Sequence, residues 1–168
     1  MTRKPRKPTA LDLLALVIAV PLLVVALLVL LVLSPFMALH EFALRVAIHL
    51  VWVAKGKRIL LVYTRSPVWF EYIESTWLPR IGDHTVTLNL SDQNAWRRSK
   101  SLAARAYRHW KPRTNNNPMV IMFPRFLRTQ RLGFYDAFQD LKHGNEATLR
   151  TAEARLFEFA DGLGRPGA

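Results

Sequence analysis

The chain has 168 residues, 51% of them apolar, and 24 Lys+Arg against 12 Asp+Glu give it a net charge of +12. That length holds one ordinary domain and little else. Cysteine is absent, which excludes disulfide scaffolds, thiolate metal sites and cysteine nucleophiles.

Residues 1–12 form a basic tail with Arg3, Lys4, Arg6 and Lys7. Leu13 to Leu39 then run without a charged side chain, which argues against a purely soluble protein. Within that run, Leu13 to Leu33 is Leu, Val, Ala and Ile apart from Pro21. As a helix it would reach about 31 Å, the thickness of a hydrocarbon core, with its backbone amides satisfied internally. It is too long for a signal-peptide core, and Phe36-Met37-Ala38 is a poor cleavage site, so a retained transmembrane helix is expected.

Ser34-Pro35 reads as a helix break, and residues 36–54 are apolar again with Glu41, Arg45 and His49 at i, i+4, i+8. This stretch is either a second span or an interfacial helix. Basic clusters before the first span and after the second segment (Lys55, Lys57, Arg58) both favour the cytoplasm. A membrane hairpin over residues 13–54 satisfies both, with Trp52 at the returning interface and the remainder cytoplasmic, as in a bacterial-type inner-membrane protein.

Residues 55–161 read as the domain and 162–168 as a flexible tail. Ile59 to Tyr63 is an unbroken apolar run, the pattern of a strand buried on both faces. Ser66-Pro67 starts a helix to about Leu78 with Val68, Tyr72, Ile73 and Trp77 inward. Thr85 to Leu90 is a second strand, and Ser91 or Asp92 caps a helix from about Gln93 to Trp110. Residues 112–118 are a loop by composition, Met119 to Phe123 is a third strand, and Pro124 stops it. One helix then runs to about His143, ended by Gly144. A second, capped by Asn145, turns Leu149, Ala152, Leu156, Phe157 and Ala160 inward. The order β-α-β-α-β-α-α gives the expected fold class: α/β, a small three-stranded parallel sandwich behind a membrane hairpin.

Motifs that carry chemistry are missing. There is no glycine after the first strand, no P-loop, no G-x-S-x-G and no H-E-x-x-H, so neither a cofactor nor a metal nor a catalytic residue is assigned. Position alone suggests an anion site at the carboxyl ends of the strands, from Thr64, Arg65, Ser66, Ser91, Asp92 and Arg125. A small transferase acting on a phosphorylated or lipid-linked substrate would use that place. The stronger signal is charge. Residues 55–131 hold 15 Lys+Arg against four acids, and residues 132–168 hold four against six. Arg97, Arg98, Lys100, Arg105, Arg108, Lys111 and Arg113 have no acid among them, with Trp96, Tyr107 and Trp110 interleaved. Partners for that surface rank as membrane lipids first, then an acidic protein or a second copy, with nucleic acid last. The expected role is non-enzymatic, anchoring or assembly at the membrane surface.

Overall fold

The computed structural model describes residues 10–112, 117–124 and 128–164. The chain divides into two compact units, Met1–Ala43 and Leu44–Ala168. Helix α1 (Ala10–Val51) is a single element of 42 residues that belongs to both. Among the described residues it is the one helix long and apolar enough to cross a membrane. Within the first unit the large apolar side chains from Ile18 to Phe42 are exposed.

The expected break at Ser34-Pro35 does not occur, and no hairpin forms. Proline lacks the N–H that would bond the carbonyl four residues back, here that of Leu31. Ser34 Oγ donates to that same carbonyl at 3.4 Å. A neighbouring hydroxyl thus replaces part of what Pro35 removes, a device that tolerates proline in apolar helices. Residues 36–51 therefore continue α1 rather than forming a second span. Trp52 is correspondingly buried in the domain, 6% exposed, and does not face an interface.

In the second unit the sheet holds strands β1 (Ile59–Tyr63), β2 (Thr85–Asn89), β3 (Met119–Met122) and β4 (Gln130–Gly133) in the order β2-β1-β3-β4. β1 pairs parallel with β2 and antiparallel with β3, and β3 pairs antiparallel with β4. The sheet is mixed and four-stranded, not three-stranded and parallel. Two local reasons account for this. Ser99 and Ser101 interrupt the expected Gln93–Trp110 helix, giving α4 (Gln93–Arg98) and α5 (Leu102–Trp110), with Ser101 Oγ accepting from the Ala104 amide as a new N-cap. The two helices fold back on each other, Trp96 meeting Tyr107 edge-on at 5.3 Å. The chain consequently returns to the end of the sheet it left, where Asn117 Nδ2 donates to Thr64 Oγ1, and β3 must run back along β1. β4 escaped the sequence because only Leu132 of its four residues is even partly buried.

Helices cover both faces of the sheet. One side chain set of β1, Ile59, Leu61 and Tyr63, faces the crossover helix, made of α2 (Phe70–Tyr72), the π-wound segment Ile73–Trp77 and α3 (Leu78–Ile81). Trp77, fully buried, meets Phe134 at 4.5 Å, and α6 (Tyr135–Lys142) and α7 (Ala147–Leu163) complete that layer. The crossover helix begins three residues after Pro67, because the Ser66 hydroxyl and carbonyl close a turn onto Val68 and Phe70 instead. α7 runs through Leu163, so the expected tail from 162 starts as helix.

The opposite set, Leu60 and Val62 with Met119 and Ile121, packs against α5 and the last turns of α1. Leu44, Ile48 and Trp52, spaced at i, i+4, i+8, are buried there at 1, 2 and 6% exposure. The domain core therefore starts inside the apolar helix. Replacing Ile48 by alanine should cost about 2–5 kcal/mol of domain stability, as for any buried aliphatic. His49→Ala, on the exposed side of the same turn, should stay within about 0.5 kcal/mol. Denaturant unfolding of the full chain in mild detergent measures both.

Candidate functional site

The basic stretch becomes a layer of the domain. Arg97 and Arg98 end α4, Lys100 lies in the α4–α5 joint, Arg105 projects from α5 and Lys111 follows it; all five are exposed. The aromatic residues between them turn inward: Tyr107 and Trp110 are 8% exposed and Trp96 is partly buried. The layer thus offers cations without open aromatic faces, which suits a charged surface better than the stacking of bases. Arg108 stands apart. Its guanidinium donates to the carbonyls of Trp96, Arg97 and Ser99 at 3.0–3.2 Å, closing the C-terminal end of α4. Arg113 lies outside the described residues.

The sheet separates charge. Residues 93–111 carry six Lys/Arg and no acid. The helices of the other face (the crossover helix, α6 and α7) carry seven Asp/Glu against four Lys/Arg. The basic layer shares its face of the sheet with Leu44, Ile48 and Trp52 of α1. Arg45, the residue after Leu44 on the same helix, sits over the Trp110 ring at 5.7 Å, joining the end of α1 to the end of α5.

The residues expected at the strand ends are brought together in part. Ser91 Oγ accepts the Arg65 amide at 2.7 Å, and the Leu90 amide reaches the Tyr63 carbonyl, so the carboxyl ends of β1 and β2 are stitched side by side. Thr64 Oγ1 is held by Asn117 Nδ2 at 3.1 Å and its carbonyl by Trp69 Nε1 at the same distance. Ser66 Oγ accepts from Val68, and Asp92 Oδ1 accepts from Ala95 as the N-cap of α4. These groups brace turns and caps. Asn117, read from sequence only as loop, joins them; Arg125 lies outside the described residues. Among the described residues no three His, Asp or Glu side chains are placed to hold a metal ion. A cavity of about 490 Å³ lies elsewhere, between β4 and α7, lined by Leu132, Thr148, Thr151 and Arg155 among others and by no carboxylate.

One polar feature escaped the sequence. Glu153 is only 4% exposed in the acidic layer, where its Oε1 accepts from Trp77 Nε1 at 2.7 Å and its carboxylate also bonds Tyr72. Its signal was present: Glu153 falls between Leu149 and Leu156 on the inward stripe of α7. Tyr63 makes the parallel bond outward, donating to Glu74 Oε1 at 2.7 Å.

The chain matches no protein-family model, no curated protein and no solved structure. Function is to be read from its own residues.

Burial first, and then the bond to a carboxylate, pushes both phenols up to about 12: Tyr63 beside Glu74 and Tyr72 beside Glu153. Folding therefore favours the neutral phenol. The stability it brings is complete below the ordinary phenol value of about 10 and is lost as pH rises toward 12. Glu74→Gln should let Tyr63 ionise earlier, and the alkaline fall in stability should become shallower. Ultraviolet titration and pH-dependent unfolding check the two halves of this prediction.

Proposed function

We propose that the chain is a membrane-anchored α/β protein with a non-enzymatic anchoring or assembly role, whose basic α4–α5 layer lies on the anionic headgroups of the membrane that holds α1. The observation supporting it is the segregation of charge: the cationic layer shares a face of the sheet with the last turns of the apolar helix, and the acidic layer covers the other. Five exposed cations at roughly 1 kcal/mol each near an anionic surface would hold the domain down by about 5 kcal/mol. That attraction acts over about 8 Å at physiological salt, so it requires the domain to be tethered close by. The cytoplasmic leaflet, with its negative surface potential, is the side that suits this layer. Arg108, committed to α4, contributes shape rather than contact.

Trypsin tests the reading on the full chain in proteoliposomes. The exposed joint from Arg97 to Lys100 should be cut in neutral vesicles and protected in vesicles rich in anionic lipid. High salt should restore cutting. Equal cutting in all three conditions would refute the lipid contact, and protection independent of lipid charge would point to a protein partner instead. Turnover of a phosphorylated or lipid-linked substrate, lost on changing Arg65, would replace this reading with a transferase.

A further inference from the structure

Beyond Ala43 the described surface exposes four large apolar side chains: Val46, Leu50, Val51 and Tyr135. Three belong to the last turns of α1. Val46 and Leu50 stand about 200° around the helix from Leu44 and Ile48, which are buried against the sheet, so this segment is apolar on both sides. Leu50 is 68% exposed, as open as the side chains of the candidate span itself.

We propose that the outer face of residues 44–51 is immersed in the membrane interface, with lipid as its occupant, so that the bilayer contact extends past Glu41 and along the domain. The inference rests on the reading of α1 as the anchor. Two observations select lipid. The stripe lies on the same helix that exposes large apolar side chains from Ile18 to Phe42, so the surface that meets lipid is prolonged rather than newly begun. Residues 44–168 also carry 20 Lys+Arg against ten acids, which sets like charge against like if a second copy approaches. Lys55, exposed beside the stripe, is suited to the headgroup level, where a long cationic side chain keeps its charge in water. From Leu13 to Leu50 an α-helix measures about 57 Å, more than the about 40–45 Å of a bilayer with its headgroups. Such a helix must run oblique to the membrane, and a tilt near the top of the usual range, about 40°, accommodates it.

The absence of cysteine makes the test direct. Val46→Cys, Leu50→Cys, Leu27→Cys and Glu158→Cys each receive a nitroxide on the full chain in neutral proteoliposomes. Collisions with oxygen and with a water-soluble nickel chelate are then compared. Oxygen should prevail at positions 46 and 50 as it does at 27, and the chelate at 158. Chelate accessibility at 46 and 50 like that at 158 would overturn the proposal and leave the anchor standing. Protection from both relaxants, with dipolar broadening between labels, would overturn it in favour of a second copy. Chelate accessibility at 27 as well would show that the anchor reading itself fails.

Discussion

Leu44, Ile48 and Trp52 rise from the last turns of α1 into the same apolar layer as Leu60, Val62 and Ile121. The segment that finishes the apolar helix is thus also a wall of the sheet's core. Removing those side chains from water is worth on the order of 1.5–3 kcal/mol each. Without that layer, one face of β1 and β3 would be left to α5 alone. The last turns of the helix are thereby part of the second unit and of its core. The short turn after it, Val53–Lys55 closed by Gly56 at φ +74°, leads directly into β1.

From that constraint the division of charge gains its meaning. Here α5 lies in the same layer as the end of α1, with Arg45 over Trp110 between them. The opposite layer is set apart by chemistry as well as position. Its interior is aromatic, with Trp77 against both Phe134 and Phe138, and its one buried carboxylate, Glu153, is held by a tryptophan and a tyrosine. A carboxylate so enclosed keeps its position only while its donors stay in place, which fixes α7 against the crossover helix.

Much of this architecture was legible in the residues. The apolar run of β1, the strand starting at Thr85, the cap at Asp92 and the stop at Gly144 all follow from local chemistry. Asn145, expected as the cap of α7, lies one residue earlier, its Oδ1 accepting from the Ala147 amide while Glu146 holds the cap position. What was not legible depended on partners distant in sequence. Ser34-Pro35 looks like a break in isolation because Pro35 lacks an amide, and only the geometry of Ser34 on the Leu31 carbonyl shows continuity. The direction of β3 depended on α4 and α5 folding back, which the serines of the joint permit but do not announce. Arg108 read as a surface cation and is instead a brace, because its targets lie ten or so residues back along a reversed chain. At the strand ends Ser91 Oγ takes the Arg65 amide, while Thr64, Ser66 and Asp92 bond Asn117, Val68 and Ala95, partners that the residue types alone do not announce.

The central claim is the orientation of the charged layers, and depth measures it most directly. A donor fluorophore on Lys100→Cys and, separately, on Glu158→Cys would report energy transfer to acceptor-labelled headgroups in anionic proteoliposomes. The account predicts stronger transfer from position 100 than from 158, with the difference shrinking as salt rises. Equal transfer, or stronger transfer from 158, would contradict it.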